Sequence, residues 1–197
     1  MFTGIITDLG RVRAAERAAS GDTRFTIATA YDTARTALGA SIACSGACLT
    51  VVDKGPGWFA AEASGETLAC TTLGDWRPGR AVNLEQSLHL GDELGGHLVS
   101  GHVDGVAHIA RVVPEGGSLR FTVEVPATLR HFIAAKGSVA LDGVSLTVNA
   151  VDGTSFGVNV IDHTRHATNF GEAKAGDRVN LEIDMLARYV ARLLERS

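Results

Sequence analysis

The sequence predicts an all-β protein made of two tandem homologous small Greek-key β-barrels with short helices and a C-terminal α-helix. Three observations carry this prediction. The chain repeats itself at a spacing of 97 residues, which marks a duplicated unit. Short segments alternate apolar and polar residues at period two, the signature of half-buried strands. Glycine supplies 23 of 197 residues, about 12% against a usual ~7%, as in a chain with many turns.

The repeat is gapless over its most informative part. Ser41-Ile42-Ala43-Cys44-Ser45-Gly46-Ala47-Cys48-Leu49-Thr50-Val51 lies over Ser138-Val139-Ala140-Leu141-Asp142-Gly143-Val144-Ser145-Leu146-Thr147-Val148. Thr67, Thr71 and Gly74 lie over Thr164, Thr168 and Gly171, and Val82-Asn83-Leu84-Glu85 over Val179-Asn180-Leu181-Glu182. Thr3-Gly4 matches Ser100-Gly101 more loosely. The implied units are 1–97 and 98–184, followed by a tail at 185–197.

Taken in order, Arg24-Phe25-Thr26-Ile27-Ala28 alternates and predicts a strand, and residues 32–38 predict a short helix. Ser45-Gly46 between two apolar runs predicts a two-residue hairpin. In the second copy Leu119-Arg120-Phe121-Thr122-Val123-Glu124-Val125 alternates in the same way. Residues 127–135, with Leu129, Phe132 and Ile133, predict a second short helix, and Asp142-Gly143 is the stronger hairpin signal. Units of under 100 residues built from such strands close most simply as small barrels. In the tail, Met185, Leu186, Tyr189, Val190, Leu193 and Leu194 share one helical stripe, with Arg188, Arg192 and Glu195 opposite. That helix either caps its own barrel or packs against copies of itself.

Composition bounds the function. The formal net charge is −4 with no basic cluster, so a nucleic-acid backbone is not an expected ligand. No apolar run reaches the ~18 residues that span a bilayer. Met1-Phe2-Thr3-Gly4 lacks the basic start and apolar core of a signal peptide, so a cytoplasmic location and no membrane partner are expected. Cys44, Cys48 and Cys70 are too few for a disulfide framework. Without a second pair or a nearby histidine, they read as free thiols rather than metal ligands.

Two-residue hairpins set which side chains share a face. Ser41 falls opposite Thr50 and Ala43 opposite Cys48, while Leu49 and Val51 turn to the core. Likewise Ser138 falls opposite Thr147 and Ala140 opposite Ser145. Each unit therefore shows a row of small hydroxyl- and thiol-bearing side chains. Such a row suits a flat polar ligand, or is simply a solvated strand face. The densest polar and glycine cluster is Gly95-Gly96-His97-Leu98-Val99-Ser100-Gly101-His102-Val103-Asp104-Gly105. His97 and His102 are five apart and would point to opposite faces of a regular strand, which suggests one structural role and one in acid–base chemistry. No P-loop, dinucleotide fingerprint or Gly-x-Ser-x-Gly turn is present.

These blocks, with the opening Met1-Phe2-Thr3-Gly4-Ile5-Ile6, Lys136-Gly137 and Val179-Asn180-Leu181-Glu182-Ile183-Asp184, resemble the riboflavin synthase family over essentially the whole chain. The resemblance implies a transferase of riboflavin biosynthesis. Two molecules of 6,7-dimethyl-8-ribityllumazine dismutate by transfer of a four-carbon unit, giving riboflavin and 5-amino-6-ribitylaminouracil, with no cofactor and no metal. It implies a homotrimer, with the tail as an oligomerisation helix and each site formed between the N-terminal barrel of one subunit and the C-terminal barrel of a neighbour.

Carried over residue by residue, one pocket would use Gly4, Ile5 and Ile6, then Cys48, Leu49 and Thr50. The same pocket would take Glu62, Ala63, Ser64, Gly65, Glu66 and Thr67, with Gly101, His102 and Val103. The facing pocket would use Lys136, Ser145, Leu146 and Thr147, then Asn159, Val160, Ile161, Asp162, His163 and Thr164. Catalytic roles would fall to His102 with Thr3 in proton handling, to Cys48 and Ser41 against one lumazine, and to Ser145 and Thr147 against the other. The chain departs from the family's Ile-Pro-x-Thr at Ile161-Asp162-His163-Thr164, and its Ala61-Glu62-Ala63-Ser64-Gly65 is smaller than usual. The rival is a non-catalytic, antenna-type lumazine- or flavin-binding protein of the same fold. Those relatives tend to lose second-barrel pocket residues, whereas Lys136, Ser145 and Thr147 are kept here. A ligand-free structural barrel would need no second polar row.

Overall fold

The computed structural model describes residues 1–195; Arg196 and Ser197, the end of the expected tail helix, lie outside the described residues. The first unit contains β1 (Asp8–Arg17), β2 (Thr23–Ala28), β3 (Ser41–Cys44), β4 (Ala47–Gly55), β5 (Trp58–Ala63), α1 (Gly65–Cys70) and β6 (Ala81–Gln86). The second contains β7 (Gly105–Glu115), β8 (Ser118–Glu124), β9 (Ser138–Leu141), β10 (Val144–Asp152), β11 (Ser155–Ile161), α2 (Asp162–Ala167) and β12 (Arg178–Ile183). The last element is α3 (Met185–Leu194).

Each unit closes as a six-stranded antiparallel barrel, in the order β1-β2-β5-β4-β3-β6 and, in the second, β7-β8-β11-β10-β9-β12. Even the irregularities repeat. The register shifts between Val12 and Ala14 and again between Ile109 and Arg111, and between Val51 and Asp53 as between Val148 and Ala150. These bulges fall in the four longest strands, where they sharpen the bend that a long strand needs to wrap around a small barrel.

The hairpins form as the turn chemistry requires. Ser45 and Gly46 both take positive φ (44° and 83°), as do Asp142 and Gly143 (45° and 80°), the geometry of a two-residue turn that matches strand twist. Ser41 pairs with Thr50, Ala43 with Cys48, Ser138 with Thr147 and Ala140 with Ser145. Alternation then sends Phe25, Ile27, Leu49, Val51 and Phe59 into the first core, and Phe121, Val123, Leu146, Val148 and Phe156 into the second. An edge-on aromatic pair finishes each core, Phe25–Trp76 at 5.2 Å and Phe121–Phe170 at 5.4 Å.

The helix expectations need correction. Residues 32–38 form turns, because their carbonyls are drawn to a side chain: Lys54 Nζ donates to the carbonyls of Thr33, Ala34 and Thr36. Residues 127–135 shrink to a 3₁₀ turn at Arg130–Phe132, since successive i→i+3 bonds from Pro126, Leu129 and Arg130 replace the α-helical pattern. Two short helices form elsewhere, α1 and α2, at matching places in the two units. Ser64 caps α1 by accepting from Thr67 N, and α2 begins at Asp162. The first helical position tolerates proline well, and an aspartate there meets the positive end of the helix. The departure at Ile161-Asp162 is therefore a replacement of one helix-starting residue by another, strengthened by Arg165 donating to Asp162 at 2.9 Å.

Helix α3 is amphipathic and is tied to the second barrel through Arg188, while Arg192 and Glu195 pair with each other in solvent. Arg188 bridges to Asp104 at 3.0 Å, while Leu186, Tyr189, Val190, Leu193 and Leu194 are all more than half exposed. It does not cap its own barrel with its apolar stripe. No helix among the described residues is long and apolar enough to cross a membrane.

Candidate functional site

The residue rows identified in the sequence lie on the outer faces of the barrels, and the segments leading into each barrel lie over them. Across the first barrel, Cys48 pairs with Ala43, which pairs with Glu85; across the second, Ser145 pairs with Ala140, which pairs with Glu182. The two rows are related by the 97-residue repeat and sandwich the leading segments between them. Phe2 and Val99 bridge to each other, buried against Ala43 and Ala140. Small side chains at 43 and 140 leave the room that this bridge needs.

The leading segments cross over. Thr3 and Gly4 are bound by Glu85 of their own barrel, but the Gly4 carbonyl accepts from Ser145 N of the second barrel at 2.8 Å. Ser100 and Gly101 are bound by Glu182, and the Gly101 carbonyl accepts from Cys48 N of the first barrel at 2.8 Å. Ile6 accordingly packs on the second core and Val103 on the first. The structure sets Gly4 against Ser145 and Ile6 on the second core, away from the Cys48 row with which they were expected, while Ile5 is exposed beside Gly95. Contacts between glycine and the opposite barrel are too close for any Cβ, which would lie 2.6 Å from Ser145 Cβ at Gly4 and 2.6 Å from Cys48 Cβ at Gly101.

A second set of crossed bonds locks the barrels together. Asn83 Nδ2 donates to the Asp142 carbonyl and Asn180 Nδ2 to the Ser45 carbonyl, while Asn169 N and Thr72 N donate to the two asparagine Oδ1 atoms. The hairpin tips meet at Gly46 and Gly143, where an added Cβ would come within 2.7–2.8 Å of the facing backbone.

The two candidate pockets differ in chemistry. In the first, half-buried Ser41 and Cys48 sit with exposed Thr50, which pairs with exposed Glu62 on β5. Ser64, Gly65, Glu66 and Thr67 follow at the start of α1, and exposed His102 stands one residue past Gly101. In the second, half-buried Ser145 and exposed Thr147 belong with Lys136, an exposed residue with a positive φ of 67°. Ile161, Asp162, His163 and Thr164 start α2 there. Asn159 is held in a polar knot, donating to Glu115 and accepting from Ser118. Leu49, Ala63, Leu146 and Val160 turn into the cores, so they offer a ligand only their backbone.

His97 is the residue that the sequence left unassigned and the structure brings in. Its Nδ1 shares a hydrogen bond with Ser145 Oγ at 2.7 Å, while its Nε2 is buried without a partner. Burial lowers its pKa against the opposing pull of Asp184, which favours the neutral ring. A neutral imidazole on a serine hydroxyl can take the proton and sharpen the oxygen as a nucleophile. No local pattern in the sequence signals this pairing, since the serine is 48 residues away. Thr3 and His102, expected to act together, are not bonded: Thr3 Oγ1 donates to Glu85 at 2.7 Å and His102 lies on the other leading segment. Among the described residues no three His, Cys, Asp or Glu side chains group closely enough to hold a metal ion, and all three cysteines are free thiols.

Comparison with known proteins agrees with this duplicated geometry. The family model described as "Lumazine binding domain" matches twice, at residues 3–87 and 100–184. Riboflavin synthase of Brucella abortus (strain 2308) is 56% identical over 200 aligned positions, covering 99% of this chain and 98% of that protein. Riboflavin synthase of Mycobacterium tuberculosis (strain ATCC 25618 / H37Rv) is 43% identical, covering 98% of both. That of Bacillus subtilis (strain 168) is 36% identical, covering 100% of this chain and 91% of that one. Among solved structures, LumP complexed with riboflavin superposes with a TM-score of 0.86 at 24% identity, covering 93% of this chain and 99% of that one. LumP complexed with 6,7-dimethyl-8-(1'-D-ribityl) lumazine gives 0.83 at 23% identity, with the same coverage. At that identity the two LumP structures speak to the fold alone.

Proposed function

The chain belongs to the lumazine-binding domain family and is an enzyme, a transferase with riboflavin synthase function, and we propose that it dismutates two molecules of 6,7-dimethyl-8-ribityllumazine. One molecule gives its four-carbon unit to the other, forming riboflavin and leaving 5-amino-6-ribitylaminouracil. The observation that carries this reading is the doubling of one polar row, Ser41, Cys48 and Thr50 against Ser138, Ser145 and Thr147, on two barrels of one chain. A reaction between two copies of one molecule needs two similar seats with unequal chemistry. Holding both reactants converts a bimolecular encounter into an intramolecular one, which can supply much of the rate.

In this reading His102, Cys48, Ser41 and Thr50 engage one lumazine, and Ser145, Thr147 and Lys136 the other. The C7 methyl of the substrate is acidic because its anion delocalises into the pteridine, so an imidazole is base enough. His102 handles protons at the first seat. Ser145, paired with neutral His97, supplies an oxygen for addition to the ring at the second. The uncovered stripe of α3, Leu186, Tyr189, Val190, Leu193 and Leu194, supports a homotrimer in which the first barrel of one copy faces the second barrel of its neighbour. Three free thiols suit the reducing cytoplasm.

Incubation of the purified protein with 6,7-dimethyl-8-ribityllumazine tests the reading. Riboflavin should appear at half the molar amount of substrate consumed. Tight binding without turnover would instead make the chain an antenna-type binding protein.

A further inference from the structure

We propose that Glu85 and Glu182 are positioning residues that act crosswise, each setting the geometry of the pocket on the opposite barrel. The inference rests on the two-seat reading above and adds to it two residues that touch neither candidate ligand row directly.

Glu85 is buried and collects three donors: Thr3 N at 2.6 Å, Thr3 Oγ1 at 2.7 Å and Gly4 N at 2.9 Å. Glu182 repeats this with Ser100 N at 2.6 Å, Ser100 Oγ at 2.6 Å and Gly101 N at 2.9 Å. Neither carboxylate has an arginine or lysine partner among the described residues. Each is satisfied by the leading segment of its own barrel, and hydrogen bonds to a charged acceptor are the stronger and more directional kind. The bound glycine then points its carbonyl at the other barrel, Gly4 to Ser145 N and Gly101 to Cys48 N, both at 2.8 Å. The chain of contact therefore runs from Glu85 in the first barrel to Ser145 in the second, and from Glu182 in the second to Cys48 in the first. Positive φ at Gly4 (77°) and Gly101 (78°) means that the carbonyls cannot be held there by ordinary extended backbone. The carboxylate fixes the turn that aims each one.

Crossing distinguishes this role from general support. A residue that merely holds its own barrel together would affect the pocket on that barrel, or both pockets alike. Glu182→Gln should instead weaken the seat at Cys48 and His102, and Glu85→Gln the seat at Ser145 and His97.

Double-mutant cycles on riboflavin formation and on riboflavin binding, followed by fluorescence quenching, read this out. Glu182→Gln combined with Cys48→Ala should be no more than about twofold worse than the poorer single variant, while combined with Ser145→Ala the losses should multiply. For Glu85→Gln the pattern should reverse. Unfolding midpoints of the two glutamine variants should be alike. Coupling that follows each glutamate's own barrel, or losses that multiply in every pair, would overturn the proposal. If the glutamine variants do not fold, Thr3→Val and Ser100→Ala remove one donor each and should show the same crossed pattern at smaller size. Should the wild-type protein form no riboflavin, the dismutase reading fails, yet the riboflavin-binding cycles still decide the crossed coupling.

Discussion

His97 Nδ1 lies 2.7 Å from Ser145 Oγ, so a histidine from the joint between the barrels is bonded to a hydroxyl on the outer face of the second one. If this pair prepares Ser145 for addition, His97→Ala should lower kcat for riboflavin formation by about 10²-fold, within the range of general-base effects. His97→Asn keeps a polar atom near the Nδ1 position and should recover part of the loss. Steady-state rates beside thermal melts check this, and an unchanged kcat in His97→Ala would rule out the role.

His102 and Cys48 should matter to the first seat without supporting the fold, since His102 is exposed and Cys48 lies outside the barrel core. His102→Gln and Cys48→Ala are expected to reduce turnover tenfold or more, with unfolding midpoints close to wild type. Wild-type rates in both would displace the first seat from this surface.

Gly4→Ala and Gly101→Ala combine two costs. Positive φ penalises any L side chain by ~1–2 kcal/mol, and the new Cβ would lie 2.6 Å from Ser145 Cβ or Cys48 Cβ. Gly79→Ala, at φ 94° with no atom within 4 Å of its Cβ, incurs only the first cost. Denaturant unfolding should therefore rank both pocket glycines as more destabilised than Gly79→Ala, and only they should lose activity.

Asp142 is buried at the tip of the second hairpin, and burial pushes its pKa up to about 6 against the hydrogen bonds donated by Asn180 N and Asn169 Nδ2. Arg80 opposes that rise and Asp177 adds to it. The folded carboxyl holds its proton more tightly than the unfolded chain does. Its stabilising contribution is therefore full below the ordinary aspartate range, near 3.8, and is lost as the pH rises through about 6. The shift corresponds to a change on the order of 3 kcal/mol across that window. Asp142→Ser copies the residue at the matching position, Ser45, and removes the titration. Melting temperatures from pH 4 to 7 should fall more with rising pH in wild type than in the variant. Parallel slopes would exclude Asp142 as the source.

The stripe on α3 should hold copies of the chain together. Leu186→Ser with Leu193→Ser is expected to shift the sedimentation mass from trimer to monomer and to cost most of the turnover, while the strand signal in circular dichroism persists. A monomeric wild type, or an active monomeric variant, would remove the homotrimer from the reading.

Much of the architecture was legible because it rests on local chemistry. Positive φ at Ser45-Gly46 and Asp142-Gly143 fixes two-residue hairpins, and the period of two then decides that Cys48 and Ser145 face outward and Leu49 and Leu146 inward. The short helices were misjudged where side chains overrode local preference. Lys54 captured the carbonyls of residues 33, 34 and 36, and capping by Ser64 started a short helix at residue 65 instead.

The sequence by itself determined the duplication, the register of each hairpin and the composition of both polar rows, since repeat spacing and turn geometry are written in residues close along the chain. Only the tertiary structure decided which leading segment serves which barrel, that His97 meets Ser145, and that the turns held by Glu85 and Glu182 aim their glycine carbonyls across the interface. Those contacts join residues 48 to 82 positions apart or lie between barrels. Their geometry follows from how two closed barrels pack about Phe2 and Val99, and no local pattern of side chains encodes it.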